Sequence, residues 1–338
     1  MKRLVSPKEL RLNVGDVCNR RCPACSKGGA KDAMGEAATL EDLLRIVDEV
    51  RAQGTLEAVS VTGGEPLHPD VRSRTYRLIE HARPAAVRLC TNGDYLDATV
   101  AEELQNLGVE SVQIGLDSST PGFQNRRSAS PDAWRNTLRG ITHALHAGLS
   151  VSIRYTLYAE NWDDVDGTYR LVSGMGVGRF KLRTLFPSGA AAHAGVDKLP
   201  SGSRLAQAQY EALRVSQGNP TRLELSQPAF FIIPQGYSAF LEDNRSCGEW
   251  NNASVNSRGI VEYCLFCDDG ARFGNIRGRP FLELWNGPEI AAARERRKRN
   301  GVIVGCPAYE IQRQRCLGDF ASFERELREK TRELQQLL

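Results

Sequence analysis

The sequence predicts an α/β protein whose main part is an open partial barrel of six βα units, followed by a small cysteine-rich domain. Three observations predict it. Between residues 9 and 225, strand-like and helix-like segments alternate at roughly 30-residue intervals, the length of a βα unit. Past residue 226 the alternation stops. The nine cysteines fall into one group at 18–25 and another at 247–316, with Cys90 alone between them. Strands separated by helices imply a parallel sheet covered by those helices. Six units are fewer than the eight of a complete barrel, so the sheet is expected to stay open; a doubly wound sheet is the alternative.

The first strand is Leu10–Val14. A helix over about 40–53 follows, with Thr39 as its N-cap and Asp42 three residues on as a variant of the capping box. Gly54 is placed to end it. Ala58–Thr62 is the second strand, 71–82 a helix, Ala86–Cys90 the third strand and about 97–107 a helix. Val112–Leu116 makes the fourth strand. Ser130-Pro131 then opens a long helix that stops at Gly148, with proline at the first helical position. Ser150–Leu157 is the fifth strand, 163–173 a helix and Arg179–Phe186 the sixth strand. A helix over 203–216 and a strand near 221–225 complete the first domain, 1–225. The second domain, 226–338, ends in a charged helix, Phe320–Leu338, with Leu327, Leu334 and Leu337 on one stripe.

Composition bounds the function. The chain has 338 residues, 41% apolar and 25% charged, as in an ordinary soluble protein. It has no apolar run of membrane-spanning length and no secretory signal, which predicts a cytoplasmic protein with no membrane partner. A net charge of +3 is too small to imply a nucleic-acid partner. Clustered cysteines in such a chain read as metal ligands rather than as a disulfide scaffold.

Directly after the first strand stands Cys18-Asn-Arg-Arg-Cys22-Pro-Ala-Cys25, a C-x3-C-x2-C loop. Three thiolates so close in sequence can wrap one face of a compact centre. A structural zinc site wants four ligands, and a [4Fe–4S] cube is normally held by four cysteines. Three ligands leave one iron open, as a catalytic centre requires. Arg20, Arg21 and Lys27 would help to offset the thiolate charge. After the second strand comes Thr62-Gly-Gly-Glu-Pro66, where two glycines allow close backbone approach. Thr91-Asn92-Gly93 follows the third strand, and Asp117-Ser118-Ser119 the fourth. Polar groups thus recur at successive strand ends, where one site would gather them.

These motifs resemble the radical S-adenosylmethionine (radical SAM) enzymes. The cysteine loop matches Cys18, Cys22 and Cys25, and the GGEP motif matches Gly63, Gly64, Glu65 and Pro66. The resemblance covers about 9–225 and implies a (βα)6 partial TIM barrel. It implies a [4Fe–4S] cluster with an open iron site that chelates SAM, and a flavodoxin or ferredoxin-type electron donor. It further implies that Gly63–Glu65 hold the SAM amino group, with Asn92 beside them, and that Asp117 and Arg154 hold ribose and carboxylate. Reductive cleavage of SAM would give a 5′-deoxyadenosyl radical that takes a hydrogen atom from an unactivated C–H bond.

Cys247-x11-Gly259-x4-Cys264 resembles the opening of a SPASM/twitch extension, and Gly274–Gly278 and Leu282–Trp285 resemble its hairpin and helix. The family pattern implies auxiliary iron–sulfur clusters there. This chain offers only Cys306-x9-Cys316 in place of the longer closing motif, so one auxiliary [4Fe–4S] cluster on Cys247, Cys264, Cys306 and Cys316 is expected. Cys267 is then left as a catalytic hydrogen-atom donor, or is itself the fourth ligand, or is a half-buried residue beside Phe266. Cys90, inside a strand, is expected in the core.

The substrate expectation is a small molecule. The triad begins 17 residues into the chain, leaving no room for a leader-recruiting domain. The layout is similar to enzymes of the cytosylglucuronate decarboxylase and aminoglycoside-modifying type, acting at carbinol carbons of sugars, aminocyclitols or glycosyl-nucleosides in antibiotic biosynthesis. The reactions expected are decarboxylation or dehydration, dehydrogenation or epimerisation. Arg154 and Arg183 could bind a uronate carboxylate bidentately. The alternative is a maturase of a ribosomal peptide; a non-radical zinc protein is the remote one.

Overall fold

The computed structural model describes residues 5–25, 37–185, 190–191, 198–225, 251–262 and 272–300. One ten-stranded sheet organises them. In chain order the strands are β1 (Glu9–Asn13), β2 (Ala58–Thr62), β3 (Ala86–Thr91), β4 (Ser111–Gly115), β5 (Ser150–Leu157), β6 (Arg179–Thr184), β7 (Arg222–Leu225), β8 (Asn252–Val255), β9 (Ile260–Glu262) and β10 (Arg272–Asn275). Their order in space is β10-β9-β8-β1-β2-β3-β4-β5-β6-β7. From β8 through β7 every pairing is parallel, while β9 and β10 add antiparallel. This is the mixed α/β, partial-barrel architecture expected. The C-terminal strands, however, do not start a sheet of their own: β8 pairs with β1 and continues the first.

The helices are α1 (Leu40–Arg51), α2 (Pro69–Ala82), α3 (Ala98–Asn106), α4 (Pro121–Ser128), α5 (Ala133–His146), α6 (Val165–Gly174), α7 (Gly202–Ser216), α8 (Phe281–Trp285) and α9 (Pro288–Asn300). At α1 the sequence signal translates directly. Thr39 Oγ1 accepts from Asp42 N, and the Asp42 carboxylate accepts from Thr39 N. Leu43, Ile46, Val47 and Val50 point to the sheet. Two corrections fall after β4. An unforeseen helix, α4, begins with Pro121 at its first position behind Thr120. The long helix that follows starts at Ala133 rather than at Pro131, behind Asp132, which makes no side-chain cap. Ser130 and Pro131 instead belong to the turn between α4 and α5, where Asn125 Nδ2 donates to Pro131 O at 2.5 Å.

Strand alternation explains where a site can lie. One face of each strand supplies Leu10, Leu12, Val59, Val61, Val87, Leu89, Val112, Ile114, Ile153 and Phe180 to a single apolar core shared with the helices. Register aligns the other face across neighbouring strands. Cys90, Gln113, Ser152 and Arg179 lie in one row, Gly115, Arg154, Lys181 and Glu224 in the next, and Thr156 beside Arg183 above them. Sheets buried on both faces carry apolar side chains on both. Here the inner face is polar, so the lumen is a place for ligands rather than a second core. Cys90 belongs to that inner face and lines a cavity, which corrects its assignment to the core.

The C-terminal segments close over the β1 edge. Gly259, at φ +80, turns β8 into β9, where an added Cβ would lie 2.9 Å from both Asn275 Oδ1 and Ile276 Cγ1. Phe281 and Trp285 of α8 are buried and stacked at 5.8 Å. Leu282 N donates to Glu49 of α1, and Arg45 of α1 donates to Ile276 O. Arg294 lies over the Trp285 ring at 5.1 Å. Cys247, Cys264, Cys267, Cys306, Cys316 and the expected helix at 320–338 lie outside the described residues. Among the described residues no helix is long and apolar enough to cross a membrane.

Candidate functional site

At the C-terminal ends of the parallel strands, one cavity is lined by Cys18, Cys22, Cys25, Gly63, Gly64, Cys90, Asn92, Arg127, Arg154, Tyr158 and Arg183, among others. The cysteine loop, residues 18–25, follows β1 and reaches the segment after β3 through Asn19 and Arg20, which both donate to Asp94. Arg20 pins it. Its guanidinium is 3% exposed and donates to Asp94 at 3.0 and 2.6 Å, to Thr137 Oγ1 at 2.9 Å and to Ala133 O at 3.1 Å. The expected role of Arg20, offsetting thiolate charge, is therefore corrected: its charge is committed to Asp94. Arg20 N, by contrast, donates to Cys18 Sγ at 3.4 Å. At the far end, Cys25 O accepts from Ala190 N, and Ala24 packs against Tyr158, Leu185 and Leu199.

The Gly63–Pro66 turn braces this loop from beneath. Gly64 N donates to Gly15 O at 2.6 Å and Glu65 N to Val17 O at 2.7 Å. A Cβ on Gly64 would stand 2.3 Å from Val17 O and 2.4 Å from Asp16 O, so only glycine permits this approach. Glu65 is buried, and its carboxylate accepts from Thr91 Oγ1 at 2.6 Å, Asn92 N at 2.7 Å and Leu67 N at 3.0 Å. Burial pushes its pKa above the ordinary value despite these donors. The side chain faces away from the cavity. What the turn leaves toward ligand is backbone: among the described residues the carbonyls of Gly63 and Gly64 carry no hydrogen bond. Asn92, held by Glu65, extends Nδ2 to Asn19 Oδ1 at 2.9 Å and to Cys18 Sγ at 3.9 Å.

Behind Arg127, which lines the cavity, Asp117 is fully buried. It takes Thr156 N on Oδ1 at 2.6 Å and forms an ion pair with Arg127. It does not line the cavity, so the structure places it behind Arg127 rather than against a ribose. Arg127, on α4, reaches Cys22 Sγ with Nη1 at 3.8 Å. Burial opposes its charge, but Asp117, Tyr158 and Cys22 outweigh that and hold it firmly protonated. Sequence reasoning missed Arg127 because it missed α4. The Thr120-Pro121 pair was the available signal. Arg154 and Arg183 do face the cavity from β5 and β6. Burial, together with Arg154 and Arg11, pushes Arg183 down to about 9.

The donor set separates a single metal ion from an iron–sulfur cube. No three His, Cys, Asp or Glu side chains converge tightly enough for a single metal ion among the described residues. Three thiols lining one cavity suit a cube, where each sulfur meets a different iron. Burial pushes Cys18 up to about 12, so a nearby cation is what would make it a thiolate. The donor set fits a [4Fe–4S] cluster.

Comparison with known proteins agrees with this geometry. The family model for the radical SAM superfamily matches residues 12–172, and that for an iron–sulfur cluster-binding domain, SPASM, matches 247–308. A GTP 3′,8-cyclase of Rhodopseudomonas palustris is 30% identical over 281 residues, 78% of this chain and 77% of its own length. A PqqA peptide cyclase of Xanthomonas campestris is 26% identical over 324 residues, 92% and 82%. Among solved structures, SuiB of Streptococcus suis bound to its precursor peptide SuiA superposes with a TM-score of 0.72 at 16% identity, over 90% of this chain and 71% of that one. The chain belongs to the radical SAM superfamily and carries a SPASM iron–sulfur domain.

Proposed function

We propose that Cys18, Cys22 and Cys25 hold the [4Fe–4S] cluster of a radical SAM enzyme that modifies a peptide. The observation that carries the cluster assignment is that Cys18, Cys22 and Cys25 line one cavity at the strand ends together with Gly63, Gly64 and Asn92. A [4Fe–4S] cluster and SAM are the cofactors of the superfamily, and a SPASM domain brings auxiliary iron–sulfur chemistry. When bound, the cluster and SAM supply a 5′-deoxyadenosyl radical that removes a hydrogen atom from substrate. The chain's own residues position the partners. An ammonium needs acceptors, and the uncommitted carbonyls of Gly63 and Gly64 are acceptors; Glu65 serves instead to fix Asn92 and Thr91. Arg154 offers a guanidinium to the SAM carboxylate. Asn92 Nδ2 and Arg20 N direct hydrogens at Cys18 sulfur, and Arg127 places positive charge beside Cys22. Tyr158, buried at the cavity wall against Phe123, limits water there. Cys267 remains the proposed hydrogen donor or auxiliary ligand, with Cys247, Cys264, Cys306 and Cys316 as the proposed auxiliary set, in a domain proposed to span 226–338.

The peptide reading draws on the relatives: one is named a peptide cyclase and another structure holds a precursor peptide. A second reading, a sugar or nucleoside substrate as in the decarboxylase or aminoglycoside-modifying type, draws on Arg154 and Arg183 in the cavity and on the cyclase relative named for GTP. The test is anaerobic incubation of reduced enzyme with SAM and either a precursor peptide encoded beside the gene or a panel of glycosyl-nucleosides and aminoglycosides. The peptide is expected to raise 5′-deoxyadenosine formation and to lose a hydrogen. Stimulation by the small molecules alone would replace the peptide reading with the second.

A further inference from the structure

The sulfurs of Cys18 and Cys22 face donors of different kinds. At Cys18 both are neutral amides, Arg20 N at 3.4 Å and Asn92 Nδ2 at 3.9 Å. Cys22 receives a charged one, Arg127 Nη1 at 3.8 Å. That guanidinium is fixed from several sides. Through Nε it pairs with Asp117 Oδ2, and the other carboxylate oxygen is occupied by Thr156 N at 2.6 Å. Gln124, also on α4, ties the helix to the end of β4 a second time. Its Oε1 accepts from Asp117 N at 2.9 Å and its Nε2 donates to Gly115 O at 3.4 Å. The next residue of α4 after Arg127 is Ser128, whose carbonyl lies 3.9 Å from Cys22 Sγ. Arg127 is therefore held with Nε on an anchored carboxylate and Nη1 on a cysteine sulfur.

A buried ion pair carries no net charge, so what a neighbour feels is the nearer pole. Coulomb energy falls with distance and is little screened where water is excluded. At Cys22 the nearer pole is the guanidinium in contact with it. One-electron reduction adds negative charge to a thiolate-bound iron–sulfur centre, and net charge and hydrogen bonds at its sulfurs set the potential. We infer that Arg127 and Asp117 are a pair of positioning residues that set the reduction potential of the centre bound by Cys18, Cys22 and Cys25, Arg127 raising it and Asp117 limiting the rise. This rests on the reading of the three cysteines as ligands of a [4Fe–4S] cluster. The two residues form one contact yet act in opposite directions. A pair that only braced the loop would shift the potential the same way whichever partner was removed.

The test is an anaerobic redox titration followed by electron paramagnetic resonance, without SAM, on reconstituted wild type, Arg127→Met, Arg127→Lys and Asp117→Asn. The signal followed is the one that a Cys18/Cys22/Cys25→Ala variant lacks, which removes any contribution from another cluster. Asp117→Asn keeps an oxygen for Thr156 N, and methionine replaces the apolar stem of Arg127. Arg127→Met should disfavour reduction at least tenfold, a midpoint about 59 mV lower. Asp117→Asn should favour reduction at least threefold, a midpoint about 28 mV higher. Arg127→Lys keeps the charge and should stay within threefold of the wild type. Iron content and thermal midpoint establish that each variant is folded and loaded; if Arg127→Met retains no cluster, the direction of the shift in Asp117→Asn decides. Shifts of the same sign in Arg127→Met and Asp117→Asn, the absence of either shift, or a fall in Arg127→Lys as large as that in Arg127→Met would each overturn the inference. A wild type with no signal that depends on the three cysteines would instead overturn the reading of the cluster site.

Discussion

Cys18, Cys22 and Cys25 lie in a loop that would be free to collapse without Arg20, and the Arg20–Asp94 pair is the brace most exposed to mutation. Removing one partner of a buried pair leaves an uncompensated charge, which costs about 3–5 kcal/mol. Asp94→Ala should therefore lower stability by about that amount in denaturant titration and should reduce iron retention. Gly64→Ala is predicted to act on the same loop by collision, since its Cβ would meet Val17 O at 2.3 Å. It should lower iron uptake, whereas Gly174→Ala, with nothing within 4 Å, should leave iron uptake unchanged. At this scale the sequence disclosed the motif residues but not what each touches. The glycine pair and Glu65 stood out by type and spacing. That Glu65 turns inward to Thr91 and Asn92 depends on β2 and β3 lying side by side, a tertiary fact. Cys90 went astray because a free cysteine in a strand is usually core, and only the register with Gln113 shows that it faces the lumen.

Among the elements, α1 shows how local chemistry fixes a boundary. Its capping box joins Thr39 and Asp42 reciprocally, and Arg45 adds a side-chain bond to Asp42 at 3.1 Å. Thr39→Ala should cost about 1 kcal/mol. Burial alone would raise the pKa of Asp42, but the Thr39 bonds and Arg45 outweigh it and hold the carboxyl below its ordinary value. A carboxyl whose folded pKa is depressed contributes stability above its unfolded pKa and loses it as pH falls through the folded one. The stability gap between wild type and Asp42→Ala should thus be present at pH 7 and close on acidification below about pH 4, as measured by thermal unfolding across pH. The helix was legible because both capping residues are adjacent in sequence. The α4–α5 region was not. Ser130-Pro131 carries a start signal as good as that of Thr120-Pro121, and the chain uses the second for a helix and the first for a turn. That choice brings Arg127 to Cys22, a consequence no local signal records.

At the scale of the whole molecule, eight parallel strands, β8 through β7, carry an apolar outer face and a polar inner one. This arrangement explains why the strand ends enclose a cavity rather than a second apolar core. The alternation of strands and helices disclosed the barrel because each βα unit is local. That β8 would pair with β1, some 240 residues earlier by register (Glu9 with Asn252), was hidden, since a parallel edge pairing leaves no mark in either segment. The expected division at residue 226 followed a real change in sequence pattern, yet the sheet runs across it. The cysteines of 247–316 lie outside the described residues, so the auxiliary cluster rests on the family relationship and on the five cysteines present.

We propose that Cys18, Cys22 and Cys25 hold one [4Fe–4S] cluster while the C-terminal cysteines hold another. Iron and sulfide per chain, measured after anaerobic reconstitution of the wild type and of a Cys18/Cys22/Cys25→Ala triple variant, test it most directly. Two clusters predict about eight iron per chain, falling to about four in the variant. An iron content that the triple substitution leaves unchanged would contradict the assignment of the three cysteines, and a fall from about four to near zero would remove the auxiliary cluster.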